Sequence, residues 1–463
     1  MSRGLAVALL LVTGCGARTA LDDSVATVAD EQRCNERFAN DGDWPQISVA
    51  ATSNGFVLAG SYDEAIQFGA HTLTSKDRAL FVVRLDASCD VVWARQFSVD
   101  AYLVDLAVTS DGGVVLAGES GSAGVDFGDG HQGGDRMTDV FVARLDPAGA
   151  VLWSRVVPGT HAGSIAHGRG AGVVLDAADG VVLTGSFDGT TDCGGGTLAS
   201  SSGAAFVARF DGDGAHVWST ALAAVDGRTS GERIAIDRTG AIVFAGDLWG
   251  QLELAGTTLD SAPFPARAFI AKFDAAGQPI AARLLPAPPF EGASQVVEAM
   301  VPDPSNGAFL VAAAYNDGAV VDAKQVLHLD DVGEASWVTE LPFFENGSML
   351  SVLVADAAGG VWYVDSCHSW NCAFSDGVGE GEGLPNSDVV AARFDGSGAV
   401  AWSHRWGSKR GWDYGQAATI DGEGRLILGG VLSDTLDFGA GPIIVPDAGN
   451  FSDANDLFLV RLP

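Results

Sequence analysis

The sequence predicts an all-β fold, a seven-bladed β-propeller of four-stranded antiparallel blades whose last blade is closed by an N-terminal strand. A basic residue followed by Leu or Phe and Asp recurs along the 463-residue chain. A VLAG-type apolar run precedes it in most units, and an orphan strand precedes the first unit. Such a period indicates stacked copies of one unit, because a lone four-stranded sheet cannot bury both of its faces.

The repeating unit is clearest between residues 103 and 157. Apolar runs at residues 103–109, 114–118, 140–145 and 150–157 are rich in β-branched side chains and alternate with turns rich in Asp, Gly and Pro. This pattern is typical of short strands joined by tight turns, so each unit is predicted to form one four-stranded sheet.

Seven copies of the third-strand motif lie 56 to 68 residues apart and begin at Arg84, Arg144, Arg209, Lys272, His328, Arg393 and Arg461. The second-strand motif ends at Gly60, Gly118, Gly185, Gly246 and Gly430. Units five and six have FLVAA at 309–313 and VWYVD at 361–365 instead, so we expect the least regular blades there. The fourth strand carries a tryptophan that we interpret as packing between adjacent sheets. These residues are Trp93, Trp153, Trp218, Trp337 and Trp402, with Ile280 in the same place in unit four.

The two ends of the repeat region are complementary. The seventh copy stops at Leu462 and Pro463, before any fourth strand, and residues 34–38 have the spacing of Trp93 to Phe97. We therefore predict that residues 34–39 complete the last sheet, because a closed ring leaves no exposed strand edges.

The recurring DGxxxLxG, DxFVxxLD and GxxxW elements resemble the bacterial seven-bladed β-propeller repeats called SBBP repeats, over roughly residues 34–463. The resemblance implies the propeller fold. It implies no activity, because that family has no shared catalytic motif that could be carried over.

The N-terminus has the layout of an export signal, with Arg3 before a short apolar core at residues 5–12. The ending LVTGC at residues 11–15 resembles a bacterial lipobox. That resemblance implies a signal peptide at 1–14, lipidation of Cys15 and, with Gly16 next, an outer-membrane location facing the periplasm or the cell surface. An ordinary secretory signal with an incidental cysteine is the alternative. Residues 15–33 are predicted to be a flexible tether, and residues 34–463 the propeller.

Acidic residues outnumber basic ones by 59 to 26, which gives a formal net charge of −33. Such a surface repels nucleic acid, and beyond the N-terminus no apolar run is long enough to span a bilayer as a helix. We expect a monomer without cofactor or metal that binds no nucleic acid and contacts the membrane through its lipid anchor. Its partner is an unknown protein or glycan.

The predicted connections between second and third strands are long and variable, at residues 61–78, 119–138, 186–203, 247–267, 367–387 and 431–455. In an up-and-down sheet these connections share one face with the crossovers between units, and the short turns lie on the opposite face. We predict that binding takes place on the long-loop face, because binding residues gather on loops carried by a rigid scaffold.

The densest aromatic and charged patch on that face is residues 409–414. Trp412 and Tyr414 would stack on a sugar or an aromatic group, and Arg410 and Asp413 would fix its orientation. Trp44 and Tyr102 are further candidates for the binding face. A loop tip that packs on its own aromatic residues is the alternative. Other polar residues predicted near the axis are Asp43, Asp105, His161, His167, Arg228, Glu232 and Glu291.

The HExxH, GxSxG and P-loop motifs do not occur, and the eight histidines are scattered, so no catalytic residue is predicted. The run at 211–214 (DGDG) has calcium-loop residues but occupies a third-to-fourth turn, where we expect a tight turn. The acidic, glycine-rich stretch at 375–383 is a better candidate for a weak cation site, with a solvated loop as the alternative.

The cysteines indicate disulfides in an oxidising compartment. Our first choice is a bond between Cys367 and Cys372 in the long loop of unit six. Cys34 and Cys89 form a second candidate pair that would staple the ring closure. With Cys15 lipidated the remaining number is odd, so the pairing of Cys34, Cys89 and Cys193 stays open.

Two functions fit these observations. The first is a non-catalytic, lipid-anchored envelope propeller that presents its long-loop face to a protein or glycan. The alternative is an extracytoplasmic polysaccharide hydrolase or lyase with acidic and aromatic residues at the channel mouth. Two carboxylates converging in a concave mouth would favour the enzyme, and a flat or plugged mouth would favour the binding protein.

Overall fold

A computed structural model describes residues 34–42, 45–97, 100–121, 124–128, 130, 132–133, 139–158, 172–304, 307–316, 320–341, 351–367, 387–408, 411–446 and 455–462. The predicted signal peptide, the tether and the lipidation site Cys15 lie outside these residues and stay predictions. Within the part of the chain that is described, no helix has the length and apolar character needed to cross a bilayer.

The described strands form seven four-stranded antiparallel sheets, which we number as blades 1 to 7 in chain order. The strands are given from the innermost outwards. Blade 1 contains Gln46–Thr52, Gly55–Tyr62, Ala79–Asp86 and Val91–Phe97, and blade 2 contains Ala101–Val108, Val114–Ser120, Asp139–Leu145 and Val151–Val157. Blade 3 contains Gly172–Leu175, Val181–Asp192, Thr197–Phe210 and His216–Ala223, and blade 4 contains Asp226–Ile236, Ile242–Leu254, Arg267–Phe273 and Pro279–Leu284. Blade 5 contains Ser294–Asp303, Gly307–Asn316, Val320–Leu329 and Ala335–Glu340, and blade 6 contains Val352–Ala355, Val361–Cys367, Asp388–Phe394 and Val400–Trp406. Blade 7 contains Tyr414–Ile420, Leu426–Leu432, Asp456–Arg461 and Asn35–Phe38.

The blades form a closed ring. Each innermost strand contacts the innermost strand of the next blade, and that of blade 7 contacts that of blade 1. Most buried apolar side chains lie between facing sheets, and the seven larger core clusters each draw on two neighbouring blades. The structure therefore confirms the predicted seven-bladed propeller. Blades 5 and 6, which carry the degenerate motifs, are also complete four-stranded sheets.

The N-terminal strand closes blade 7, as predicted. Asn35–Phe38 pairs antiparallel with Asp456–Arg461, and Asn35 lies opposite Val460. A disulfide between Cys34 and Cys89 then ties this strand to blade 1 across 55 residues of sequence. The second candidate pair of cysteines is thus confirmed. Cys193 is the free cysteine among the described residues and is buried.

The disulfide predicted between Cys367 and Cys372 stays a prediction. Cys367 ends the second strand of blade 6, where it is fully buried and disulfide-bonded. Cys372 lies outside the described residues.

One aspartate organises each short turn between the third and fourth strands. In blade 2, Oδ1 of Asp146 accepts hydrogen bonds from the backbone N–H groups of Ala148 and Ala150, at 2.9 and 2.8 Å. Gly149 completes this turn with φ of 82°, a conformation that glycine adopts without strain. Asp211 makes the same two bonds in blade 3, which confirms that residues 211–214 form a tight turn.

The outer-strand tryptophan of a blade packs on the turn glycine of the next blade. A Cβ atom added at Gly149 would lie 2.9 Å from the Trp93 ring, and one at Gly214 would lie 2.6 Å from the Trp153 ring. Gly277 and Gly398 stand in the same relation to Trp218 and Trp337. The predicted packing role is confirmed at these four junctions.

The other three junctions depart from this rule, each for its own reason. Cys34 pairs at the tryptophan position and Cys89 at the glycine position, so a covalent bond replaces ring packing between blades 7 and 1. Trp402 in blade 6 has no such turn to pack on, because the chain ends take its place in blade 7. It is 38% exposed, whereas Trp153 is 7% exposed.

The placement of Ile280 at the tryptophan position was wrong by one residue. Ala281 lies opposite Lys272, as Trp153 lies opposite Arg144 and Trp93 opposite Arg84. Ile280 points outwards and is 55% exposed. Since side chains alternate between the two faces of a strand, the shift puts an alanine where the other units put an indole.

Candidate functional site

The two faces of the ring differ as the sequence predicted. We call the face that carries the second-to-third connections and the crossovers the loop face, and the opposite one the turn face. Several long connections are themselves strand pairs: Ala65–Phe68 with His71–Thr74, Leu436–Asp437 with Pro442–Ile443, and Thr257–Asp260 with the extended second strand of blade 4. In blade 3 the second and third strands extend as one long hairpin. Other parts of these connections lie outside the described residues.

An aromatic stack stands at the loop-face end of the innermost strand of blade 7. The rings of Trp412 and Tyr414 are 6.4 Å apart between centroids and lie within 8° of parallel. Trp412 is 36% exposed, and a backbone bridge to Ser387 holds it against blade 6. The predicted pair of aromatic residues thus lies together as a parallel stack, and part of the Trp412 ring is exposed to solvent.

Asp413 lies beneath this stack and is fully buried. Its Oδ2 atom accepts a bond from the backbone N–H of Ser408 at 2.8 Å, and Oδ1 accepts one from Ser433 at 3.3 Å. Burial raises the pKa of Asp413 to about 7, although these hydrogen bonds lower it. In the structure this carboxyl anchors the crossover that carries Trp412.

Tyr102 is the second aromatic feature of the loop face. It lies at the start of the innermost strand of blade 2, is 40% exposed, and has the Arg78 guanidinium 4.1 Å from its ring centroid. Asp63 holds Arg78 through a 2.9 Å ion pair. Blade 1 separates Tyr102 from Trp412 in the ring. The predicted residues Trp44 and Arg410 lie outside the described residues.

The axial channel is narrow. It encloses about 240 Å³ and is lined by the innermost strands of blades 1, 2, 4, 5, 6 and 7. Asp105 and Arg233 are the charged residues among those lining it. Asp105 accepts backbone N–H bonds from Val173 at 3.0 Å and Leu106 at 2.9 Å, and burial raises its pKa to about 6. A cavity of this size falls below the usual range for ligand pockets, which begins at about 300 Å³.

The remaining residues predicted near the axis do not converge with the aromatic stack. Arg228 covers the ring of Trp249 at 4.0 Å on blade 4, and Glu291 is exposed on the crossover to blade 5. Glu232 is buried at a bulge in the innermost strand of blade 4. Asp43, His161 and His167 lie outside the described residues, as does the candidate cation loop at 375–383.

Glu119 is a candidate that the sequence reasoning missed. It is 4% exposed, and its Oε1 atom has no hydrogen-bond partner among the residues described. Burial and then the nearby charge of Glu232 raise its pKa to about 8. A neutral carboxyl beside a second carboxylate is an arrangement that acid–base catalysts use. The available signal was a Glu after the second-strand glycine, where blades 1, 3 and 6 carry serine at the same point.

A buried ionic cluster joins blades 5 and 6. The Lys324 ammonium lies 2.9 Å from Glu298 and 2.6 Å from Asp365, and all three side chains are fully buried. The hydroxyls of Tyr315 and Tyr363 donate to Glu298 and Asp365. Burial by itself would lower the pKa of Lys324, but the two carboxylates outweigh that effect and raise it. The cluster therefore holds a charged lysine that bridges two blades.

This cluster explains why the second-strand motif changes in unit six. A Cβ atom at Gly60, Gly118 or Gly430 would lie 1.8 to 2.1 Å from a carbonyl oxygen of the innermost strand, so those blades need glycine. In blade 6 the innermost strand begins only at Val352, opposite Val364. Asp365 stands where those blades carry glycine, and its side chain takes part in the ionic cluster.

No family model and no curated protein matches this chain. Among solved structures it is similar to virginiamycin B lyase from Staphylococcus aureus, at 10% identity over 93% of this chain and 99% of that chain, with a TM-score of 0.43. A protein of unknown function from Dyadobacter fermentans is similar at 10% identity over 79% and 96% of the two chains, with a TM-score of 0.42. A gluconolactonase from Xanthomonas campestris is similar at 12% identity over 93% and 99%, with a TM-score of 0.36. Similarity at this level identifies neither a family nor an activity.

Proposed function

We propose that this protein is a non-catalytic, lipid-anchored envelope propeller of the SBBP-repeat type that binds a glycan or a protein on its loop face. The observation that carries the proposal is the parallel stack of Trp412 on Tyr414, held by a crossover that Asp413 anchors from below. A preorganised aromatic surface binds with little loss of side-chain entropy. The small axial channel supports binding on the face rather than inside the ring.

A glycan array and a set of purified envelope proteins, each probed with wild-type protein and a Trp412→Ala variant, test this proposal. We expect the variant to lose at least about tenfold in affinity for the ligands that wild type binds. Trp402→Ala is the matched control, because Trp402 has nearly the same exposure but lies on the outer strand of blade 6. Equal affinity of the wild type and Trp412→Ala would exclude the stack as the binding surface.

The lipid anchor is a separate part of the proposal and needs its own test. A Cys15→Ser variant should move from the membrane fraction to the soluble fraction, since the acyl chains supply the membrane affinity. Retention of this variant in the membrane fraction would contradict lipidation at Cys15. The binding surface would be unaffected by that result.

The second candidate function is a polysaccharide hydrolase or lyase, and the observation in its favour is the raised pKa of Glu119 beside Glu232. A neutral Glu119 would donate the proton that a leaving oxygen needs. Turnover of any polysaccharide by the wild type that is abolished in Glu119→Gln would establish the enzyme. Turnover that persists in the variant would remove Glu119 from the mechanism.

A further inference from the structure

An open groove lies on the turn face between blades 4 and 5, at the junction that lacks its tryptophan. It encloses about 30 Å³, against about 240 Å³ for the axial channel, and about 450 Å³ when the open solvent at its mouth is included. Its apolar lining includes Val243, Ile270, Ala281, Leu329 and Gly333. We call this groove the indole slot, because it occupies the place that an indole fills at four other junctions.

The slot keeps the glycine floor of the filled junctions. Gly333 is the turn glycine of blade 5 and has φ of 83°, like Gly149 and Gly214. A Cβ atom at Gly333 would lie 2.6 Å from Cδ1 of Ile270. Ile270 therefore covers part of the floor where the other blades place a ring, and the remaining space stays open beside Ala281.

The slot also keeps the polar acceptor of the filled junctions. In blades 1, 2 and 3 the indole N–H donates to the carbonyl of the residue after the turn aspartate: Pro147, Gly212 and Ala275, at 3.2, 3.0 and 3.1 Å. The equivalent carbonyl in blade 5 belongs to Asp331. It accepts a bond from the Lys272 ammonium at 3.1 Å, and Lys272 also forms a 2.6 Å ion pair with Asp237.

We propose that the indole slot binds a tryptophan side chain supplied by a partner polypeptide. The slot offers an apolar floor for the ring, as the four filled junctions do, and a carbonyl acceptor at its edge for the ring N–H, as three of them do. The Lys272 ammonium bonds this carbonyl and Asp237 at the same time, and a ring N–H would share the carbonyl with it, because a carbonyl oxygen has two acceptor sites. The site lies on the face opposite the aromatic stack, so it does not depend on the proposed function of the loop face.

Ligand-observed NMR on the full chain tests the proposal, with N-acetyl-tryptophanamide as the probe and N-acetyl-leucinamide as the matched control. We expect saturation transfer to the tryptophan amide and none to the leucine amide. Blades 1, 2, 3 and 5 have valine where blade 4 has Ile270. An Ile270→Val variant should therefore uncover the floor and tighten binding by about threefold.

A double variant, Ile270→Val with Ala281→Trp, rebuilds the filled junction and should abolish the signal. Trp153→Ala should open an equivalent slot between blades 2 and 3 and double the stoichiometry. If the double variant does not fold, Ile270→Val and Trp153→Ala decide the question. Equal transfer to the leucine amide, no transfer to the tryptophan amide, or transfer unchanged in the variants that do fold would overturn the proposal.

A separate competition experiment tests whether a polypeptide can supply the tryptophan. A short peptide with one central tryptophan should compete with the amide probe, and the same peptide with leucine in that position should not. Competition by both peptides would show a general apolar surface and would overturn the assignment to tryptophan.

Discussion

The junction between blades 2 and 3 and the junction between blades 4 and 5 share one backbone plan but differ at the tryptophan position, which holds Trp153 in the first and Ala281 in the second. At the first, Trp153 packs on Gly214 and donates to the Gly212 carbonyl at 3.0 Å. At the second, Ala281 leaves a groove that Ile270 only partly fills. The comparison teaches that the backbone of a repeat can persist after its main packing residue is lost, because the turn hydrogen bonds and the strand ladder do not depend on that residue.

Removing the ring from the filled junction should give the largest effect. We expect Trp153→Ala to lower the free energy of unfolding by roughly 3–5 kcal/mol, because it removes buried ring contacts and leaves a cavity. Urea unfolding followed by fluorescence measures the change. A loss below about 1 kcal/mol would show that the ring does not stabilise the junction.

Removing the disulfide that joins blades 7 and 1 should have the second-largest effect on stability. The Cys34–Cys89 disulfide closes a 55-residue separation, so a Cys34→Ser, Cys89→Ser double variant should lose roughly 2–4 kcal/mol of stability. Thermal unfolding under oxidising conditions compares the two proteins. Under reducing conditions the difference should vanish, and a difference that persists would point to packing rather than the bond.

Glu119 should make the stability of the protein depend on pH, and this effect distinguishes blade 2 from blade 4. The equivalent residue in blade 4, Asp247, accepts a backbone N–H bond from Val297 at 3.1 Å, whereas burial and the charge of Glu232 raise the pKa of Glu119 to about 8. The folded state then holds more protons than the unfolded state between pH of about 4.3 and 8, so stability falls as pH rises through that window.

Glu119→Gln removes this dependence. The stability of wild type relative to the variant should fall by roughly 2–4 kcal/mol between about pH 5 and pH 8, because each unit of the pKa shift is worth about 1.4 kcal/mol. Asp105 and Asp413 titrate in both proteins, so their contributions cancel in the difference. A flat difference curve would show that Glu119 is already ionised in the folded state.

The smallest effect on stability should come from replacing Trp402, the outer-strand tryptophan that has no turn to pack on. Trp402 occupies the same repeat position as Trp153 but is 38% exposed, with its ring beside Trp362 and His404. We expect Trp402→Ala to cost roughly 1–2 kcal/mol, less than Trp153→Ala, because a smaller part of this ring is removed from water on folding. A cost equal to that of Trp153→Ala would mean that position in the repeat, rather than the neighbouring turn, sets the contribution.

Prediction from sequence succeeded where the information is local or periodic. The aspartate turns, the strand periodicity and the orphan strand at Asn35–Phe38 all follow from spacing along the chain, and the structure confirms them. The error at Ile280 arose because a register shift of one residue cannot be seen in an apolar run without the opposite strand. Of the residues predicted for binding, Trp412 and Tyr414 stack on each other and Trp412 is partly exposed, whereas Asp413 is buried, and their role in binding stays a prediction.

The sequence by itself determined the number of blades, the turn chemistry and the closure of the ring, because each depends on residues at a fixed spacing within one repeat. The tertiary structure decided which junction is left open, why Asp365 replaces a glycine and how Glu119 meets the charge of Glu232. Those properties depend on contacts between blades. Side chains far apart in the chain then share one low-dielectric space, and their packing and ionisation follow from that neighbourhood rather than from the repeat.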